Sequence, residues 1–181
     1  TKGQNVFKIF DKSIPVLDIK SNISFRPGLP DKFNSKFVLK SINMAVDLIF
    51  KKQVSSLITL PICKRTLKLS KFNYNGHTEY LSYLTKEIKG KQESEIMILS
   101  TTNPIDKGKN LIVGLVTTHI PLKKIHKTIT IEKTFNKIFS FKNSLTKIWG
   151  IESPKIGITS INPHAGEGGL IGDEEIKILN P

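Results

Sequence analysis

The sequence predicts an α/β sandwich with a mixed sheet, on two observations. Short apolar runs of strand character alternate along the 181 residues with longer segments whose apolar residues recur at three- and four-residue steps. Clusters of Pro, Gly, Asn and Asp separate these segments and mark the turns between them.

The alternation starts late. Residues 1–33 are irregular and broken by Pro15, Pro27 and Pro30, with S-I-P-V-L-D-I as a candidate short strand. Over 35–52, Phe37, Val38, Ile42, Ala45, Val46, Ile49 and Phe50 line one helical face. S-S-L-I-T-L-P-I (55–62) reads as a short apolar strand ended by Pro61. Residues 79–89 read as a second helix. E-I-M-I-L-S-T (95–101) and L-I-V-G-L-V-T-T (111–118) are two β-rich runs, and N-P-I-D-K-G-K-N between them predicts a long hairpin. A third helix spans 131–148, with Thr130 as N-cap and Ile131, Phe135, Ile138, Phe139, Leu145 and Ile148 as its buried face. A strand at 155–160 and a helix from about Asp173 complete the pattern. Ile176, Ile178 and Leu179 begin an apolar repeat without room to finish, so both ends read as cuts.

The formal charge is +13, but of 28 basic residues only Arg26 and Arg65 are arginine. Bidentate recognition of bases and phosphates favours arginine, and the lysines are scattered rather than blocked. A solvated lysine surface is therefore the expectation, with no nucleic-acid partner, although anionic small molecules remain attractive ligands. No apolar run approaches the roughly eighteen residues of a membrane span, and the start lacks the apolar core of a signal peptide. Cys63 is the single cysteine, which excludes an internal disulfide and suits a reducing cytosol.

The chemistry-bearing residues are the histidines. His77 lies in N-G-H-T-E, His119 in V-T-T-H-I-P and His164 in N-P-H-A-G-E-G-G, each with Pro or Gly within two residues. His119 is expected directly at the end of one strand and His164 four residues past another, where ligands gather in α/β sheets. Neutral imidazoles brought together there suit a divalent zinc, cobalt or nickel ion. Singly, each reads as an ordinary loop histidine; as a set, the two readings stand level. His126, in K-K-I-H-K, reads as a surface residue. Cys63 precedes Lys64 and Arg65 without a partner base and reads as a packing residue. Glu167 reads equally as a base, as a partner to a ligand or as an exposed carboxylate.

Four stretches carry a resemblance: L-I-T-L-P-I-C-K (57–64), G-H-T-E-Y (76–80), T-T-H-I-P-L-K-K-I (117–125) and N-P-H-A-G-E-G-G-L-I-G-D-E-E-I (162–176). In order and spacing they resemble the 4-hydroxythreonine-4-phosphate dehydrogenase family of vitamin B6 (pyridoxal phosphate) biosynthesis. Residues 1–33 align loosely, and 34–181 match the central α/β region of the dehydrogenase fold. The resemblance implies a three-layer αβα sandwich like that of isocitrate and isopropylmalate dehydrogenases, incomplete here at both ends. It also implies a cytoplasmic homodimer with its site at the subunit interface, NAD or NADP, and a divalent metal such as zinc, magnesium or cobalt. The implied reaction is oxidation of a phosphorylated β-hydroxy-amino acid followed by loss of carbon dioxide. Carried over by motif, His119 and His164 are metal ligands, and His77 and Thr78 hold the substrate.

Some family features are missing. The opening glycine- and proline-rich motif, a third metal histidine in a Y-H-D-Q type motif, and the downstream Lys, Asn and Arg that bind substrate have no counterparts. Leu60 stands where a small residue often precedes the proline. Two imidazoles fall short of the three protein ligands usual at a catalytic metal, so this chain alone is expected to be inactive. The alternatives are a dehydrogenase of the same scaffold acting on another hydroxy acid or a dihydrodiol, and a non-enzymatic basic binding module whose binding is salt-sensitive.

Overall fold

The computed structural model describes residues 6–23, 26–91, 93–104 and 110–181, with only the backbone of Val6 and Phe7. The chain forms two compact units, Thr1–Glu93 and Ser94–Pro181. No helix among the described residues is long and apolar enough to cross a membrane.

The first unit is helical: α1 (Val6–Phe10), α2 (Ser35–Phe50), α3 (Lys64–Leu69) and α4 (His77–Lys89). A 3-10 turn, Lys32–Asn34, leads into α2, and Asp31 opens it by accepting a hydrogen bond from the Phe33 N–H at 2.9 Å. The periodicity read in 35–52 and 79–89 does form helices. Ile42 and Val46 of α2 meet Leu67 of α3, Phe72 and Tyr80 of α4 in one buried cluster. Leu67 is 1 % exposed, and burying such a side chain contributes about 2–3 kcal/mol. The Phe72, Tyr74 and Tyr80 rings lie 5.1 Å apart pairwise, within the range of favourable aromatic contact. The Tyr80 hydroxyl donates to Asn43 Oδ1 at 2.6 Å.

Neither strand expected here forms. Residues 13–19 and 55–62 make no ladder, and Ile58 and Leu60 are 91 % and 82 % exposed. A strand exists only by pairing; an apolar run without a neighbour stays irregular, and Pro15 and Pro61 each remove a ladder donor.

In the second unit β1 (Met97–Ser100) and β2 (Ile112–Leu115) pair antiparallel, Met97 opposite Leu115 and Ser100 opposite Ile112. The expected hairpin is present; residues 105–109 of its connection lie outside the described residues. After α5 (Ile125–Thr128) comes α6 (Ile131–Lys147), and Thr130 caps it as expected by accepting from the Lys133 N–H at 3.2 Å. The helix approaches the hairpin at Gly114, where an added Cβ would lie 3.1 Å from the Phe141 ring and 2.9 Å from Ile96 Cδ1. That contact selects the buried face.

The face is only partly the expected one: Leu145 is buried and Ile138 half-buried as expected. Thr134, Phe141 and Leu145 are buried, whereas Ile131, Phe135, Phe139 and Ile148 are more than half exposed. Apolar residues occupy two stripes of α6, and periodicity alone could not choose between them. Residues 155–160 pair with nothing and are no strand. Among the described residues the sheet is therefore an antiparallel pair rather than a mixed sheet, within a chain that does combine helix and strand. The helix expected from Asp173 is a single π-helical turn, Glu175–Leu179.

Candidate functional site

The turn around His164 is built from its own backbone. Asn162 Oδ1 accepts from the N–H of His164 at 2.8 Å and of Gly166 at 3.4 Å, the local hydrogen bonding that makes Asn a turn former. Ala165, Gly166, Glu167, Gly168 and Gly169 then all take positive φ. Gly166 is the residue that must be glycine: its φ is +72°, and a Cβ there would lie 2.3 Å from the Gly172 carbonyl oxygen. Ala165 and Glu167 hold left-handed geometry against their own Cβ atoms, at about 1–2 kcal/mol each. A run of such residues is the signature of a loop held for a purpose beyond turning.

His164 is exposed, and its Nδ1 lies 3.4 Å from Glu167 Oε1. A carboxylate beside one ring nitrogen is an arrangement that recurs behind metal-binding imidazoles. Of the readings open for Glu167, the structure thus gives it a place beside the His164 ring. The loop's exit carries Glu175, which is buried and accepts from the Ile161 N–H at 2.8 Å.

His119 does not sit directly at a strand end. β2 stops at Leu115, and His119 follows four residues later, exposed and with φ +53°. Histidine is among the few side chains enriched in this left-handed conformation. His119 and His164 both belong to the second unit; among the described residues no group of three or more His, Cys, Asp or Glu side chains could hold a metal ion.

His77 and Thr78 are the first two residues of α4, half-buried and exposed respectively. The free N–H groups and partial positive charge of a helix head suit an anionic substituent. Lys64 carries no site role in the sequence pattern. Its ammonium comes to this helix head: a Cβ placed at Gly76 would lie 3.7 Å from Lys64 Nζ and 3.8 Å from Glu79 Oε2. Its place after the proline of L-P-I-C-K, twelve residues before Gly76, is the only signal the sequence carried.

Cys63 is exposed and not a packing residue, because the chain turns into α3 there and carries the thiol outward. Hydrogen bonds from Thr66 and, to a lesser degree, the Arg65 charge hold its thiol below the usual range. His126 lies exposed on α5, as expected.

The described residues thus combine helices with an antiparallel strand pair, and the candidate histidines stand on loops and at a helix head. The particular family follows from comparison: the chain belongs to the family of the pyridoxal phosphate biosynthetic protein PdxA, whose family model matches residues 1–181. It is 37 % identical over 154 residues to a 4-hydroxythreonine-4-phosphate dehydrogenase of Sulfurihydrogenibium sp., covering 85 % of this chain and 44 % of that protein. It is 33 % identical over 183 residues to the Caulobacter vibrioides protein of that name, covering 100 % of this chain and 53 % of the relative. The crystal structure of 4-hydroxythreonine-4-phosphate dehydrogenase from Klebsiella pneumoniae superposes with a TM-score of 0.74 at 31 % identity, covering 87 % of this chain and 45 % of the other. The chain thus spans about half the length of the relatives it matches.

Proposed function

We propose that the protein acts as a divalent-metal- and NAD(P)-dependent dehydrogenase that oxidises 4-phosphohydroxy-L-threonine and releases carbon dioxide from the keto acid formed, in pyridoxal phosphate biosynthesis. The observation that carries this reading is the family match along the whole chain, which includes the His77, His119 and His164 motifs. His119 and His164 are the residues that would hold the metal. The donor type fits: imidazole suits zinc or cobalt, these two would supply part of the three-ligand set usual at a catalytic metal, and Glu167 stands beside His164 Nδ1 as an orienting carboxylate. When bound, the cation would polarise the substrate oxygen and steady the negative charge of decarboxylation, while the nicotinamide ring would take the hydride. His77 and Thr78 hold and orient the phosphorylated substrate at the head of α4, with the Lys64 ammonium adding positive charge. Glu167, beside His164 Nδ1, orients the ring.

The exposed apolar residues Ile58, Leu60 and Ile158 support the finer fold reading. In a three-layer sandwich of the isocitrate dehydrogenase kind, as in a homodimeric, cytoplasmic enzyme with its site at the subunit interface, such exposed apolar side chains are covered by a neighbouring layer or by the second subunit. A relative of the same scaffold acting on another hydroxy acid or dihydrodiol would use the same residues, so substrate turnover separates the two.

Cobalt(II) or zinc titration of the wild-type protein against His119→Ala and His164→Ala tests the metal reading. Weakened binding in both variants is expected. If all three proteins bind alike, the assignment is wrong, and salt-sensitive binding to nucleic acid without metal dependence would instead favour a basic binding module.

A further inference from the structure

We propose that Glu175 is a positioning residue: its buried carboxylate fixes the His164 turn, and thereby sets the affinity of His164 for a divalent cation. This rests on the metal reading of His164 given above.

The second glutamate of G-D-E-E-I looks like the ordinary acid of a helix start, where a solvated charge is expected. It is instead 7 % exposed. Glutamate is almost never buried to that degree unless it is held by partners. Oε1 accepts from the Ile161 N–H at 2.8 Å, across fourteen residues. Oε2 is buried and has no hydrogen-bond partner among the described residues. It lies 3.2 Å from the position a Cβ would take on Gly166. The side chain therefore stands against three parts of the loop. It leaves from the exit, bonds the entry at Ile161, and closes on Gly166 at the centre, two residues from His164.

The backbone around it is consistent with that use. Ala165 and Glu167 flank Gly166 in left-handed geometry that costs about 1–2 kcal/mol per residue. Hydrogen bonds to Asn162 and His164 shape the turn from within, and the Glu175 bond to Ile161 closes it from its far end. Glu175 itself is delivered by a π-helical turn, a form found most often where a side chain must be aimed. A cavity of about 390 Å³ lined by Ser160, Ala165, Gly168 and Glu175 lies beside this junction. The hydrogen bond from Ile161 to a charged acceptor is the stronger kind.

Two substitutions separate the bond from the bulk. Glu175→Met keeps roughly the volume and removes the acceptor; Glu175→Gln keeps an oxygen for Ile161 and removes the charge. In Glu175→Met we expect Ile161 amide exchange to quicken at least about tenfold, and cobalt(II) affinity, read from the visible spectrum of the bound ion, to fall about 10–100-fold, as for other residues that orient a metal ligand. Glu175→Gln should restore both to within about threefold of wild type, the acceptor being what matters. Unchanged Ile161 exchange in Glu175→Met overturns the inference. So does faster exchange with cobalt affinity unchanged, since Glu175 would then be structural only, and so does a Glu175→Gln variant as impaired as Glu175→Met. If Glu175→Met loses amide protection in α6 and has failed to fold, Glu175→Gln decides alone: retained Ile161 protection and cobalt affinity support the inference, and their loss overturns it. His164→Ala is the control for the underlying reading. If it leaves cobalt binding untouched, the metal assignment has failed on its own account, visibly apart from any result on Glu175.

Discussion

At the head of α4, the core holds a residue two positions past Thr78: Tyr80 is 7 % exposed and packs its ring among Phe72 and Tyr74. Around His164 nothing comparable exists. Gly166 and Glu175 are the buried residues there, and the shape comes from left-handed backbone, the Asn162 side chain and one carboxylate bond. One candidate histidine thus inherits its place from apolar burial on a regular helix, and the other from backbone geometry and polar bonds. Burial is non-directional and tolerates small changes of shape. Hydrogen bonds and αL residues define a geometry sharply but supply little net stability. A helix head of the first kind suits holding an anionic group by charge; a turn of the second kind suits aiming one ring nitrogen.

The comparison predicts different failures. Tyr80→Ala should give the largest effect, a loss of about 3–5 kcal/mol in the stability of the first unit, as for other large-to-small aromatic substitutions in cores. Denaturant unfolding followed by tyrosine fluorescence reads it; a loss under about 1 kcal/mol would mean the aromatic cluster is not what secures α4. Gly166→Ala comes next. A methyl group 2.3 Å from the Gly172 carbonyl oxygen cannot be accommodated without movement, and the clash together with the strained φ should amount to about 2–4 kcal/mol. The turn has an escape the core lacks: it can open locally. Amide exchange over 161–171 should therefore quicken strongly while the denaturation midpoint of the second unit moves less. Equal protection in both proteins would show that the turn tolerates a side chain.

What the sequence made legible follows the same division. Helices α2, α4 and α6, the Thr130 cap and the β1–β2 hairpin were readable because each is written in local spacing: apolar steps of three and four, a threonine at a boundary, turn residues between β-rich runs. The strands expected at 55–62 and 155–160 failed because a strand is a relation between segments, and an apolar run does not name its neighbour. The buried face of α6 was read only in part, Leu145 but not the rest, for a related reason. Two stripes were apolar enough, and the choice was made by Gly114 on another element, where Phe141 meets the hairpin. At the site, the His164–Glu167 pair was visible as an i, i+3 spacing inside one motif. Glu175 was not, since an acid that opens a helix and an acid buried beneath a loop are the same letter in the same place. Lys64 reaches Gly76 only through the fold.

The smallest effect expected is also the one that isolates the polar component of the apolar region. Burial raises the Tyr80 phenol above its ordinary value of 10.0, with the Asn43 hydrogen bond opposing that rise. A raised folded-state value means the neutral phenol is favoured in the folded protein. The resulting stability is fully present below the unfolded value, near 10, and is lost as pH climbs through the folded one. The first unit should therefore weaken above pH ~10, together with the appearance of tyrosinate absorbance. Tyr80→Phe removes the hydroxyl and its 2.6 Å bond to Asn43. At neutral pH this should destabilise by only about 0.5–1 kcal/mol, because Asn43 is exposed and water replaces the lost donor. The same substitution abolishes the Tyr80 ionisation, so the stability curves of the two proteins should converge as pH rises past ~10, and the variant's alkaline decline should be shallower. Parallel curves across that range would mean the phenol ionises as freely in the folded protein as in the unfolded chain, and that the head of α4 is held by a cluster more open to water than its 7 % exposure at Tyr80 implies.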